Sequence, residues 1–297
     1  MIFKMKSGFV AIVGRPNVGK STILNAIIGT KVSIVTDKSQ TTRDIIKGIY
    51  NDEESQIVFV DTPGIHKPMH ELGKIMNNSA LSSVNDVEAA ILVIDASKHF
   101  GLGDQYILDN LRTRCPLFIA INKIDLATIN QVIEIKKIYA EKYPNSQIVE
   151  MSAKKNFNTD ELLKLIKLAL PDGPKYFPDE MISDKDDAFM MKEVIREELL
   201  NLLKQEVPHH SAVIIESFEN KKEALVVNAV IYIEKDSQKA IVIGHGGKMI
   251  KAIGTRARKE LEQIYKKRVY LELFVKVKED WFNNNRLLKE LGYKNDR

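Results

Sequence analysis

A single cysteine stands in 297 residues. Cys115 therefore has no intramolecular disulfide partner, which excludes a disulfide scaffold and suits a reducing compartment. It precedes Pro116 and the apolar run 117–121, so it reads as a small buried residue rather than a reactive thiol. Long apolar runs are missing too: none approaches the ~20 residues a membrane-spanning helix requires, and the N-terminus has no secretory hydrophobic region. There is no heptad run, low-complexity tract or internal repeat. Net charge is low, +4 overall. Residues 1–184 contribute none of it, with 22 basic and 22 acidic side chains. The whole excess lies from Lys185 onward, and residues 239–278 hold 11 basic and 3 acidic side chains. A field that concentrated suits a nucleic acid or an anionic membrane surface.

What the first half does contain is an alternation of short apolar runs (9–13, 57–60, 89–94, 117–121, 147–150) with helical patterns. That alternation predicts a parallel α/β sheet. Each run ends in a polar cluster, and ligands of such sheets bind beyond the carboxyl ends of the strands. The first cluster, Gly14-Arg15-Pro16-Asn17-Val18-Gly19-Lys20-Ser21, fits G-x-x-x-x-G-K-[S/T] between a strand and a helix. Loop amides and the helix start would cradle a polyphosphate. Lys20 would reach its β- and γ-phosphates, and the Ser21 hydroxyl would bind Mg²⁺.

The second cluster, Asp61-Thr62-Pro63-Gly64, is by itself an ordinary turn. About 40 residues after a phosphate loop, Asp61 can hold Mg²⁺ and the Gly64 amide can meet a γ-phosphate. Between the two lies Gln40-Thr41-Thr42-Arg43-Asp44, a polar loop. A threonine here would complete Mg²⁺ coordination while a γ-phosphate is present and let go after hydrolysis. Two adjacent threonines leave the register open, with Thr42 preferred to Thr41.

The remaining clusters choose the base. In Asn122-Lys123-Ile124-Asp125, the Asp125 carboxylate can accept from both N1–H and the N2 amine of guanine; adenine offers neither donor there and would leave a buried charge unpaired. Asn122 can brace the loop, and the Lys123 stem can lie along the base. In Met151-Ser152-Ala153-Lys154, the Ala153 amide is placed to donate to guanine O6.

In order, these five clusters resemble the G motifs of the translation-factor class of small GTPases. The resemblance implies an α/β, Ras-like P-loop domain over residues 1–174, with a six-stranded sheet, one antiparallel edge strand near 44–50, and bound GTP or GDP. One position departs from the Ras-like pattern: Ile65 stands where a glutamine would orient the attacking water. No residue is assigned as general base. Asn17 matches an asparagine that supports K⁺-dependent hydrolysis in related GTPases, which points to a monovalent cation beside the phosphates.

After a closing helix at 159–170 and Pro171-Asp172-Gly173-Pro174, residues 175–187 are Pro- and Asp-rich without periodicity and read as a linker. The rest reads as helix (188–206), strand (211–218), strand (224–234), helix-turn-helix and strand (269–278). His209 and His210 read as a solvated loop rather than a metal pair, since no Cys, Asp or Glu cluster accompanies them. Gly244-His245-Gly246-Gly247 fits G-x-x-G ahead of a helix whose outer face carries Lys251, Arg256, Arg258, Lys259 and Lys266. Glycines there let the backbone approach a sugar-phosphate chain, with Lys248 and the helix-start amides on the phosphates. Trp281 reads as a packing residue.

The element order resembles an α+β KH domain of the type II arrangement over 188–297, with Gly244, His245, Gly246, Gly247, Lys248, Lys251 and Arg256 against RNA. Nearly the whole chain resembles the Era family of bacterial ribosome-assembly GTPases, most particularly in Gln40-Thr41-Thr42-Arg43, Tyr176-Phe177-Pro178-Asp179 and Ile243-Gly244-His245-Gly246-Gly247-Lys248. That family implies GTP/GDP and Mg²⁺ as ligands, and the 3′ end of 16S-type rRNA and the 30S subunit as partners. It also implies a cytoplasmic monomer with peripheral association at the inner membrane. The alternative is a C-terminal module that docks on membrane or protein rather than RNA.

Overall fold

A computed structural model describes residues 5–38, 41–204 and 206–293; Gln40 of the expected switch lies outside the described residues. They form two compact units, one from most of the chain up to Asp184 and one from Lys185 onward together with Thr36–Lys38 and His70–Leu72.

The first unit runs β1 (Lys6–Gly14), α1 (Lys20–Ile28), β2 (Ile46–Asn51), β3 (Ser55–Asp61), α2 (Glu71–Ser82), β4 (Ala89–Asp95), α3 (Leu102–Asn110), β5 (Leu117–Asn122), α4 (Ile129–Lys142), β6 (Gln147–Glu150) and α5 (Thr159–Ala169). Sheet order is β2-β3-β1-β4-β5-β6. All neighbours pair in parallel except β2, which runs antiparallel to β3 with Ile46 opposite Asp61. The apolar runs have no polar alternation because both faces of the sheet are covered. On one face Ile23 and Leu24 of α1 and Leu162 and Ile166 of α5 pack on Val10, Ile12, Phe59 and Phe118. On the other, Ile107 of α3 and Ile135 and Tyr139 of α4 pack on Ala11, Val13, Leu92 and Ile119. Parallel pairing brings the carboxyl ends of β1, β3, β4, β5 and β6 to one edge, where the polar clusters sit. Cys115 is half-buried against the second of these cores rather than enclosed, its Sγ 2.9 Å from Thr113 Oγ1.

Much of the expected linker has a fixed place in this unit. Gln56 Oε1 accepts from the amides of Tyr176 (2.6 Å) and Phe177 (2.9 Å), and Gln56 Nε2 donates to Phe177 O (2.8 Å). The Ile49 amide donates to Ile182 O at 3.0 Å, and the Lys47 amide to Asp184 Oδ1 at 2.9 Å. Tyr176 meets Phe9 edge-on at 4.8 Å. The bonds of the Ile49 and Lys47 amides occupy edge groups of β2 that would otherwise stay open to pairing with another chain.

The second unit runs α6 (Asp187–Leu202), β7 (Ala212–Asn220), β8 (Ala224–Ile233), α7 (Asp236–Ile243), α8 (Lys248–Tyr265), β9 (Arg268–Val277) and α9 (Asn285–Glu290). β8 is central, antiparallel to β7 and parallel to β9. Its alternate residues Leu225, Val227, Ala229, Ile231 and Ile233 are wholly buried with Met191, Ile195 and Leu199 of α6 and Ile253, Ala257 and Leu261 of α8. Ile264, which the periodicity puts inside, is exposed; Tyr265 packs on the core instead, and its hydroxyl donates to Asp187 Oδ1 at 3.1 Å. α8 ends there, with Lys266 in the left-handed region, so the helical stripe does not extend through Ile264. Trp281 is wholly buried, stacked on Tyr293, and donates to His210 O at 3.0 Å. His210 Nδ1 lies 2.8 Å from Glu234 Oε2. No group of three or more His, Cys, Asp or Glu among the described residues is arranged to hold a metal.

Candidate nucleotide site and nucleic-acid interface

The turn from β1 into α1 reverses the chain within five residues. Gly19 has φ +101°, and a Cβ there would lie 2.3 Å from Asn122 Nδ2, so only glycine fits. Asn17 adopts φ +62°, a conformation asparagine tolerates. Lys20 folds back over the loop, its Nζ donating to Gly14 O (3.2 Å) and Arg15 O (2.9 Å). Burial pulls its pKa down to about 8, with Asp61 opposing the shift. An ammonium held in so dry a place gains strongly from a polyphosphate beside it. The Arg15 side chain is engaged elsewhere, its Nη1 2.6 Å from Oδ2 of the buried Asp104. Thus Arg15 contributes backbone to the loop.

Three oxygens meet at the start of α1. Ser21 Oγ donates to Asp61 Oδ2 at 2.7 Å and lies 3.0 Å from Thr42 Oγ1. Of the two adjacent threonines, Thr42 is therefore the one beside Ser21; Thr41 is also buried. Asp61 is wholly buried, and burial pushes its carboxyl up, against the charge of Lys20 and the hydrogen bonds of Ser21 and Ser33. Its Oδ1 has no hydrogen-bond partner. An orphaned carboxylate oxygen beside two hydroxyls is a donor set for a hard cation such as Mg²⁺, which takes one or two carboxylates and completes its shell with water and phosphate.

Beyond Asp61, Thr62 Oγ1 donates to Ile12 O at 2.8 Å, which fixes Pro63 and Gly64 against the phosphate loop. A Cβ on Gly64 would lie 2.6 Å from Pro16 N and Cα. Ile65 donates its amide to Gly14 O at 2.9 Å, while its side chain is wholly buried among Ala11, Val13 and Leu92. The position expected to orient a water thus turns its side chain into the core. The next side chain, His66, has Nδ1 2.8 Å from Gly64 O.

On the base side, Asn122 is a two-way brace: Nδ2 donates to Val18 O at 2.9 Å, and Oδ1 accepts from the Ala153 amide at 3.0 Å. That places the amide expected to face guanine O6 against the Asn122 side chain at the base end of the site. Lys123, at φ +63°, stretches between strand end and phosphate loop, its Nζ donating to Asn17 O (2.6 Å) and Asp95 Oδ2 (2.7 Å). The Ile124 amide donates to Met151 O at 3.3 Å. Asp125 is exposed, and Ser152 Oγ donates to its Oδ1 at 2.6 Å, which holds the carboxylate outward. Asn122→Ala would strip Val18 O and the Ala153 amide of a buried partner at once. It should cost about 1–3 kcal/mol of stability and weaken guanine-nucleotide affinity at least about tenfold, read by thermal melting and by fluorescent-GDP titration.

In the second unit, α7 ends at Gly244 and the chain passes through His245, Gly246 and Gly247 into α8. His245, Gly246 and Lys248 are exposed, as are Lys251, Arg256, Arg258 and Lys259 along α8. Arg256 Nη1 is 3.9 Å from Glu198 Oε2 of α6, a long contact that leaves the guanidinium mostly in solvent.

The family of 50S ribosome-binding GTPases matches residues 9–123, and the KH domain family matches residues 206–282. GTPase Era of Clostridium beijerinckii is 47% identical over 97% of this chain and 98% of its own length. This chain belongs to the Era GTPase family. Two solved Era structures each superpose with a TM-score of 0.93 at 39% identity, covering 98% of this chain and 100% of theirs. One is Era in complex with MgGDPNP and nucleotides 1506–1542 of 16S ribosomal RNA; the other is an Aquifex aeolicus Era variant bound to GDP·AlF₄⁻. As a member of the Era family the chain is a GTPase, with a P-loop GTPase domain followed by a KH domain.

Proposed function

We propose that this protein is a GTP-driven switch that binds the single-stranded 3′ end of small-subunit rRNA during 30S maturation. One observation carries the reading: a phosphate loop and Asn122-Lys123-Ile124-Asp125 precede a G-x-x-G turn on a basic helix in a single chain. An Era of 39% identity bound to both MgGDPNP and 16S rRNA nucleotides supports it.

In this reading loop amides and Lys20 hold the phosphates, and Asp125 with Ser152 selects the base. Ser21, Asp61 and Thr42 hold Mg²⁺, which when bound bridges the phosphate oxygens and offsets their charge. Thr42 senses the γ-phosphate, and the segments around it and after Asp61 order when GTP is present. RNA affinity then depends on the nucleotide, and linkage requires RNA to change nucleotide affinity by the same factor. Cross-linking in cell extract with and without a non-hydrolysable GTP analogue, followed by sequencing of the bound RNA, tests this; recovery of small-subunit 3′ sequence is expected. The basic second unit also favours peripheral contact with anionic lipid, and recovery with membrane vesicles but not RNA would favour the docking alternative.

A K⁺ ion held beside Asn17 would supply, at the phosphates, the positive charge that an arginine finger gives elsewhere, so turnover in K⁺ buffer should exceed turnover in Na⁺ buffer. Equal rates would remove the cation from the account.

A further inference from the structure

Asp61 is held by a residue outside every nucleotide motif. Ser33 lies in the buried stretch 32–34, only 2% exposed between Val32 and Ile34, and its Oγ donates to Asp61 Oδ2 at 3.0 Å. Ser33 is itself clamped by Asn25 of α1. Asn25 Oδ1 accepts from the amides of Val32 (2.9 Å) and Ser33 (3.0 Å), and Asn25 Nδ2 donates to Ser33 O at 2.7 Å. One side chain thereby satisfies three backbone groups of a segment that belongs to neither helix nor strand.

We infer that Ser33, clamped by Asn25, is a positioning residue that orients the Asp61 carboxylate toward Mg²⁺. A carboxylate oxygen accepts about two good hydrogen bonds. Asp61 Oδ2 receives Ser21 Oγ and Ser33 Oγ, so both of its acceptor directions are used and Oδ1 is the oxygen left over. Rotation about χ2 of an aspartate is soft. Without Ser33 the carboxyl keeps only the Ser21 hydroxyl and the Thr62 backbone amide as hydrogen-bond donors, and its rotation is less firmly fixed. Ser33 also precedes the loop that carries Thr42, so the clamp ties the approach to that loop to the strand end bearing Asp61. The inference rests on the reading that Ser21 and Asp61 hold Mg²⁺.

The test is release of fluorescent GDP from the full-length protein over a range of Mg²⁺ concentrations, with a parallel measurement in EDTA. Ser33→Ala should raise the Mg²⁺ concentration that half-maximally slows release by about tenfold, as loss of an outer partner of a metal ligand does. Release in EDTA should stay within about twofold of wild type, because the lost bond acts through the metal. Asn25→Ala, which keeps the hydroxyl but frees its segment, should shift the Mg²⁺ dependence in the same direction. An unchanged half-effect in Ser33→Ala, or an equal change with and without Mg²⁺, would overturn the positioning role while leaving the metal reading intact. A wild-type release rate indifferent to Mg²⁺ would overturn both.

Discussion

Replacing Asp125 with asparagine should lower affinity for GTP by about three to four orders of magnitude and confer binding of xanthosine triphosphate. The argument is one of donors and acceptors. The aspartate presents acceptors only, matched to N1–H and the N2 amine of guanine. Asparagine turns one acceptor into a donor, which meets the N2 amine as donor against donor. Xanthine carries a carbonyl oxygen there, and the pairing is restored. The structure makes this substitution clean. Asp125 is exposed, and its Oδ1 accepts from Ser152 Oγ at 2.6 Å, a role the asparagine Oδ1 keeps. Thermal stability of the nucleotide-free protein should therefore match wild type while competition titrations with GTP, ATP and XTP change order. Preserved GTP preference would mean that Asp125 does not read the base.

The second large effect lies in the other unit. Gly246→Asp should weaken binding of a single-stranded rRNA 3′-end oligonucleotide at least about a hundredfold, since a carboxylate would stand where the backbone approaches phosphate. GTP turnover without RNA should be unchanged. Gly246 has φ +57°, and a Cβ there meets no atom within 4 Å, so aspartate, which tolerates the left-handed region, enters without collapse. Gly244 is a poorer choice: at φ +72° its Cβ would lie 2.7 Å from Met249 Cβ, and loss of binding would only report a broken turn. Fluorescence anisotropy at two salt concentrations checks the electrostatic origin. Lys248→Ala, which removes one exposed cation, should make the salt dependence shallower by about 0.7 of a log unit per log unit of salt.

Much of this was legible in the sequence because the features are local. The phosphate loop, Asp61-Thr62-Pro63-Gly64 and Asn122-Lys123-Ile124-Asp125 follow apolar runs, and parallel pairing then brings those ends together. The buried face of β8 reads directly from its alternation. What the sequence hid depends on partners distant along the chain. Residues 176–184 look like a linker because they lack periodicity, yet their backbone groups bond to Gln56, Ile49 and Lys47. Backbone bonding leaves no residue signature. The bond from the Ala153 amide to Asn122 Oδ1 joins residues 31 positions apart, and neither tetrapeptide shows it alone. Ser33 and Asn25 fall outside every motif; the only hint is one hydroxyl within the apolar stretch 32–34. Ile65 is the instructive case. Its identity says that it cannot orient water, and its burial adds that the side chain packs into the core beside Ala11, Val13 and Leu92.

The measurement closest to the central claim is a reciprocal titration on the full-length protein. Affinity for a small-subunit rRNA 3′-end oligonucleotide is measured with GDP and with a non-hydrolysable GTP analogue bound, and affinities for both nucleotides are measured with and without the RNA. The account predicts that RNA affinity differs between the two nucleotide states and that the ratio of nucleotide affinities shifts by the same factor when RNA is present. Equal RNA affinity in both states, or no preference for that RNA over a scrambled sequence, would contradict it.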